Sequence, residues 1–396
     1  MNTWHPSLAW LLYTRDSAPN VQFGSGGEGA TGSSVHQLLL SGATLSLDWS
    51  AGRAAMILSV PSPKPTEAYG APARGSASDS PVVSVVICAY NVAPYIRDSV
   101  DSALGQTYED IEVIVVDDGS TDGGVELLAG IDDSRLRVEK RSHSGHGASL
   151  NAGIALAHGK YVGLLDADDR WLPEKLQRHL AYHARHLAVD MTYSLSEEID
   201  VDGVPRSAPA AGNGRFISFR DMLVENGVRN GSAAVIRRDA LIAAGPFDES
   251  LPSCQDLDMW LRVARLRQRN IYALPDVLTQ YRRRPRQVSS NVEVMREGLA
   301  TVIGRAASIA PADVAATEAA RTGQSNAYHA YLSYEAGEFG DAFGYLRRGF
   351  RASPGRLLRE GRNWFVAAAC LSGAVLPRRW HESLDRWVRS RRRRKN

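Results

Sequence analysis

The 396-residue sequence predicts an α/β fold, a mostly parallel sheet flanked by helices, and three observations carry that prediction. Short β-branched runs alternate with segments of helical period between residues 82 and 186, the order that builds a parallel sheet with helices on both faces. Within VVSVVICAY and IEVIVVDD the apolar positions are nearly consecutive, as in strands buried on both sides. Two runs end in acidic pairs, Asp117-Asp118 and Asp168-Asp169. In such sheets, ligands bind beyond the carboxyl ends of the strands.

VVSVVICAY (82–90) reads as the first strand, and Pro94 then suits the first turn of a helix running to about Leu104. IEVIVVDD (111–118) is the second strand, with GSTD as turn and cap before a helix through about Ala129. RLRVEK, SLNAGIALAHG, YVGLLDADD and LPEKLQRHLAYHARH follow as strand, helix, strand and helix. Farther on, Leu257, Trp260, Leu261 and Ala264 share one helical face, which puts Gln255 and Asp256 at that helix's N-terminal end. Residues 325–354 resemble a single helix–turn–helix unit of the tetratricopeptide type, with Gly337 in the turn and Pro354 closing it. One such unit cannot bury its own apolar face, so it must pack on a neighbour.

The flanks read differently. Residues 1–80 are rich in Gly, Ser, Ala and Pro without either period, which predicts disorder, and residues 61–81 read as a linker. Met56 offers a later start for the native product. A hydrophobic content of 44%, a charged content of 23% and a net charge of +2 are those of an ordinary globular protein and give no ground for a nucleic-acid partner. From Leu346 onward, however, Arg dominates, ending in Arg391, Arg392, Arg393, Arg394 and Lys395. That run reads either as a basic tail for an anionic membrane surface or as a solvated terminus. Cys88, Cys254 and Cys370 lack any CxxC spacing, so neither a disulfide framework nor a zinc site is expected, and a reducing compartment fits. LAWLLY near the start has no basic flank or cleavage site, so no secretory signal is read. WFVAAACLSGAVL (364–376) is too short to span a bilayer. A buried helix is the favoured reading, the alternative being an interfacial one with Trp364, Trp380 and Trp387 at headgroup level.

The chemistry concentrates in a few stretches. In LLDADDRW, Asp166 and Asp168 lie two apart and so face the same side of an extended segment. Bare, they repel; a hard divalent cation relieves that repulsion, and Mg²⁺ takes one or two protein carboxylates plus water and phosphate oxygens. Asp169 reads as the cap of the following helix, with Pro173 in its first turn. Asp118 has two readings, an Asx-turn with Gly119 or an acceptor for a base imide N–H that would select uracil. Asn91 is either a turn residue or a nucleotide contact. HSGHG (143–147) suggests a phosphate loop at a helix N-terminus, but without P-loop or dinucleotide spacing. A dehydrogenase would also place its Gly-rich turn where this chain has CAYNVAP, which counts against NAD. Asp256, stabilised at a helix N-terminus, is either a cap or a general base, and Arg262 reads as a surface ion-pair partner.

Together, VSVVICAYN, VIVVDDGSTDG, SLNAGIALAHGKYVGLLDADD, GPFDESLPSCQDLDMWLRVA and YRRRPRQVSSN, in that order, resemble the family 2 glycosyltransferases with their Rossmann-like GT-A fold. The resemblance covers about residues 82–290, giving a glycosyltransferase domain over 81–294 and a helical extension with its basic tail over 295–396. It implies inverting transfer from a nucleotide-sugar donor, foremost a UDP-sugar, to a glycan, polysaccharide or lipid-linked acceptor, in the cytoplasm or on the inner face of the membrane, as in cell-envelope polysaccharide synthesis. It further implies that Ala89, Tyr90, Asn91, Asp117, Asp118, Asn151, Asp166, Ala167 and Arg284 line the nucleotide-sugar site. Asp168 would hold Mg²⁺ or Mn²⁺, and Asp256 would be the catalytic base. Three departures stand out: Gln255 replaces a frequent Glu, removing a like charge that would raise the base's pKa; Leu150 replaces an Arg, so that a phosphate contact is either missing or supplied by His143 or His146; and Arg284 stands where His is frequent. The competing readings are a Mg²⁺-dependent nucleotidyl or phosphoryl transferase and a non-catalytic sugar-nucleotide scaffold.

Overall fold

The computed structural model describes residues 44–48, 55–59 and 81–359, except 207–211, 286 and 336, together with 363, 366–368 and 370. The basic C-terminal run, Trp364, Trp380, Trp387 and most of residues 1–80 lie outside the described residues. The chain divides into two units, residues 1–68 and 69–396. In the first, β1 (Thr44–Asp48) and β2 (Ala55–Ser59) pair antiparallel, in a segment to which the sequence reading assigned no element.

In the second unit the early strands follow expectation. β3 (Val83–Ala89), β4 (Ile111–Asp117), β5 (Leu136–Lys140) and β6 (Tyr161–Asp166) lie in the order β5-β4-β3-β6, all parallel. Alternate side chains serve opposite faces, as strand pleating requires. Val83, Val85 and Ile87 pack with Ile96, Val100 and Ala103 of α1 (Ile96–Leu104), whereas Val86, Ile114 and Val116 pack with Leu150 of α2 (His146–Leu156). The consecutive apolar runs are thereby explained, because both faces of the sheet are covered. The helix expected after GSTD is a single 3₁₀ turn, Val125–Leu128. Gly123, at a φ of +76°, and Gly124 beside it weaken any helix there, and the four residues left suit a 3₁₀ turn.

Beyond β6 the pairing is mixed. β7 (Arg170–Trp171), α3 (Lys175–Arg185), β8 (Met191–Ile199), β9 (Arg215–Ile217), α4 (Phe219–Val224), β10 (Ala234–Arg237), α5 (Arg238–Ala244), α6 (Gln255–Leu266) and β11 (Ile271–Arg282) complete the domain. The nine-stranded sheet runs β5-β4-β3-β6-β10-β8-β11-β7, with β9 on β11. β10 is antiparallel to both β6 and β8, so the sheet changes polarity there. The parallel pattern seen in the early sequence thus describes one half of the sheet.

The C-terminal helices are α7 (Val292–Ile309), α8 (Pro311–Glu335), α9 (Phe339–Ala352) and α10 (Pro354–Arg359). Val302 and Ala306 of α7 join the core that contains Trp260 and Val263 of α6. α8 and α9 form the helix–turn–helix unit, with Gly337 at a φ of +81° in the turn, and Pro354 opens α10. The unit packs on the sheet domain through α8, where Arg220 of α4 and Asp313 form a 2.7 Å ion pair. Val366 and Cys370, within the apolar stretch 364–376, are buried in the core formed with Leu346 and Leu357. No helix among the described residues is long and apolar enough to cross a membrane.

Candidate active site

The register of three strands assembles one edge. Ala89 of β3 lies beside Asp117 of β4, and Cys88 beside Asp166 of β6, so the acidic ends of β4 and β6 flank the end of β3. Asn91 follows with a φ of +50°, a conformation that Asn tolerates better than most residues. Its Oδ1 accepts from the Thr121 N–H at 2.9 Å, and its own N–H donates to Ser120 Oγ at 3.1 Å. Asn91 therefore braces the turn after β4.

The two acids after β4 divide their work. Asp117 makes the Asx-turn, its Oδ1 accepting from the Ser120 N–H at 2.9 Å. Asp118, buried, gathers the loop ahead of α2: Oδ1 accepts from the Ser144 N–H and Oγ at 2.8 and 3.1 Å, and Oδ2 from the Gly145 N–H at 2.9 Å. Burial pushes its pKa up, but the donors of Ser144 and Gly145 outweigh it, and the carboxyl ends below its usual value. Gly119, at a φ of +78°, is required here, since a Cβ would stand 2.9 Å from the His143 nitrogen. His143 Nδ1 lies 2.8 Å from Asp118 Oδ2, and its ring stacks on the exposed ring of Tyr90 with centroids 4.0 Å apart. Tyr90 and His143 form a flat aromatic platform at the sheet edge; Tyr90 was marked by the family pattern, while the His143 stack had no signal in the sequence.

Asp166, Asp168 and Asp256 form the second cluster. Asp166 and Asp256 carry raised pKa values, chiefly through burial. The charges of Asp168 and Asp256 push Asp166 further up, and His146 opposes the rise in both. His146 Nε2 lies 3.9 Å from Asp166 Oδ1. His146 thus brings an imidazole from the HSGHG loop to these acids. Asp256 stands in the first turn of α6, behind Cys254 at a left-handed φ of +61°. Its Oδ1 accepts from the Leu257 N–H at 2.7 Å and its Oδ2 from Asn226 Nδ2 at 3.3 Å. Gln255 donates to the Leu251 carbonyl at 2.7 Å. The neutral neighbour removes one repulsion, yet the pKa of Asp256 still moves up, because desolvation exceeds the hydrogen bonds that lower it.

The third Asp of LLDADDRW departs from expectation. α3 begins at Lys175 with Glu174 at its N-cap position, and Asp169 does not cap it. Asp169 is fully buried: Oδ2 accepts from Ser232 Oγ at 2.5 Å, and Oδ1 from the Arg282 N–H at 2.8 Å. Ser232 in turn accepts from the Asp166 N–H at 2.9 Å. Arg282 donates to the Asp168 carbonyl at 2.7 Å and to the Val201 carbonyl at 2.9 Å, and lies 3.2 Å from Asp98. Ala167 is buried between the two acids. Arg284, two residues past Arg282, forms an ion pair with Asp168 Oδ2.

Asn151 is placed elsewhere. Its amide bonds both backbone groups of Phe247 and the Glu249 carboxylate, fastening α2 to the segment that leads to α6. Arg262 pairs with Asp258 at 2.8 Å and also donates to the carbonyls of Ala244 and Gly245, closing the end of α5.

The donor set suits a hard divalent cation. Asp166 and Asp168 lie in one short segment, and repulsion from Asp168 contributes to the raised pKa of Asp166. Among the described residues no third His, Cys, Asp or Glu joins them, so waters and ligand oxygens would complete the shell. Arg284 would have to leave Asp168 for that oxygen to serve.

The profile of glycosyl transferase family 2 matches residues 84–244. A Haemophilus influenzae protein described as an uncharacterized glycosyltransferase is 31% identical over 225 residues, 53% of this chain and 68% of that protein. One from Rickettsia bellii with the same description is 34% identical over 193 residues, 47% of this chain but 28% of its own length. The chain thus spans about a third or less of the Rickettsia relatives it matches. Among solved structures, Staphylococcus aureus TarS 1–349 in complex with UDP-GlcNAc aligns over 74% of this chain and 88% of its own, at 21% identity and a TM-score of 0.49.

Proposed function

The chain belongs to glycosyl transferase family 2, and from that membership we propose that it transfers a sugar, with inversion, from a nucleotide-sugar donor to an acceptor hydroxyl. The observation that supports this most directly is the meeting of Asp166, Asp168 and Asp256 in one electrostatic cluster at the carboxyl edge of the sheet. Asp256 accepts the acceptor's proton. A carboxylate whose pKa lies above the ordinary range is a better base than an exposed one, and its site at the head of α6 keeps one oxygen oriented by the Leu257 N–H. The acceptor oxygen then bonds to the anomeric carbon as the bond from that carbon to the diphosphate breaks, so no enzyme nucleophile is required.

Asp168, with Asp166 beside it, would hold Mg²⁺ or Mn²⁺, whose contribution when bound is to stabilise charge on the departing diphosphate. The Tyr90–His143 platform gives a nucleobase a flat surface, and Arg284 gives the diphosphate a second positive charge. A UDP-sugar is the first donor to try. A glycan, polysaccharide or lipid-linked acceptor at the inner face of the membrane fits the basic C-terminal run of the sequence. Product analysis tests the reading: release of nucleoside diphosphate upholds it, whereas pyrophosphate would replace it with nucleotidyl transfer.

A further inference from the structure

We propose that the exposed face of α9 docks on an anionic lipid surface, an inference that rests on the membrane-located acceptor just described. α9 has two unlike sides. Ala342, Leu346 and Gly349 are buried in the small core shared with α8. At 3.6 residues per turn, Phe343, Arg347, Phe350 and Arg351 project from the other side. Phe343 and Phe350 are 46% and 48% exposed, and they lie two turns apart along one line of the helix. Arg347 sits between them and Arg351 beside them, both exposed and neither paired with a carboxylate among the described residues. Asp341, the acidic residue of the first turn, stands about 160° around the axis from Phe343.

Two aromatic rings ringed by arginines, with no acid on that face, match the boundary between anionic headgroups and acyl chains. The chain that leaves this unit points the same way: residues 360–396 hold ten Lys and Arg against three Asp and Glu. A second copy of the chain is a poor occupant. Across a two-fold contact it would lay one arginine-bearing face on another, with no acid on either to meet the arginines. A lipid surface instead accepts the rings at acyl depth and attracts every arginine at once.

The test is flotation of the full chain with vesicles of phosphatidylcholine alone and of phosphatidylcholine with phosphatidylglycerol in equal parts. Binding is expected to the anionic vesicles only. Phe343→Ser with Phe350→Ser should weaken it at least tenfold, and Arg347→Ser with Arg351→Ser by about fivefold per arginine at low salt. Because loss alone could reflect damage, Phe343→Trp with Phe350→Trp serves as the opposite arm and should bind as tightly as the parent or more so, since Trp favours the interface. Donor turnover on a soluble acceptor stays at the parent level in all three variants, so a failure of transfer is read separately from a failure of docking. Equal binding by the Ser variant and the parent overturns the proposal, because attachment then lies elsewhere, as in the terminal arginines. So does a dimer of the parent that the Ser variant loses, because a second copy then covers the face.

Discussion

Two parts of this domain crowd groups of like charge, one at the half-exposed sheet edge and one in the buried interior. At the sheet edge, Asp166, Asp168 and Asp256 press their negative charge together. Beneath β8, β10 and β11, α3 buries Lys175, His179 and His183 along one stripe. Lys175 Nζ donates to Ser194 Oγ, Thr279 Oγ1 and the Ala233 carbonyl at 2.9–3.0 Å and lies 5.1 Å from the centre of the Trp171 ring. His179 and His183 both reach Thr192 Oγ1, at 2.7 and 3.0 Å. Every partner there is neutral, and burial drives all three groups toward their uncharged forms. Lys175 has its donors taken by hydroxyls and a carbonyl, and His179 and His183 share one hydroxyl while His183 Nδ1 is left without a partner among the described residues; the acids instead face one another. A perturbed pKa alone therefore does not separate a ligand-facing cluster from a buried structural one; what the groups face does.

The strongest way to break this contrast is Asp256→Asn. Turnover should fall by roughly 10²-fold or more, while donor binding by calorimetry stays near the parent value. Unchanged turnover would remove Asp256 from the chemistry and leave the acidic cluster without its principal role. Acid titration probes the other cluster. His183 has its pKa lowered to about 4, so between that pH and about 6.5 the unfolded chain binds the extra proton and folding stability falls as pH falls. The parent should lose roughly 3 kcal/mol across that window relative to His183→Asn, measured by denaturant unfolding. Parallel curves would show that the histidine charges freely in the folded state.

A smaller effect separates the clusters by ligand response. Donor with Mn²⁺ at a hundredfold above its Kd should stabilise the parent by about 2.7 kcal/mol. Asp168→Asn should lose that shift, and His183→Asn should keep it. The smallest effect is expected of Lys175→Met, which should leave turnover within a few-fold. Since the folded pKa of Lys175 is depressed, its contribution to stability grows as pH rises toward its unfolded value near 10. That alkaline gain should be missing from the methionine variant in thermal scans.

What the sequence made legible follows from distance along the chain. Asp166 and Asp168 were visible from their two-residue spacing, although β6 ends at Asp166 and Asp168 lies in the turn beyond it, not on an extended segment; Asp256 was visible because its helix announced its own start. Strands β3 to β6 were visible for the same local reason. Asp169 was misread as a cap because its true partners, Ser232 and Arg282, are 63 and 113 residues away. Asn226, which holds Asp256, lies 30 residues before it in a loop with no period. Lys175 carried no warning at all, since a lysine in a first helical turn ordinarily reads as solvent-facing. The reversal of polarity at β10 was equally hidden, because a four-residue strand gives no direction from composition.

Asp169 gives the loop after β11 a pivot. The Arg282 backbone is tethered to the Asp169 carboxylate and its side chain is buried, but Arg284 lies only two residues beyond. A root that is fixed and a tip held by its ion pair with Asp168 make a short lever. With Cα atoms about 3.8 Å apart, the Arg284 backbone can travel no more than roughly 7 Å from that anchor. The guanidinium's working radius is accordingly bounded by one buried carboxylate that touches no ligand. Lengthening the lever by a single inserted glycine would change where the positive charge arrives without changing any residue of the acidic cluster.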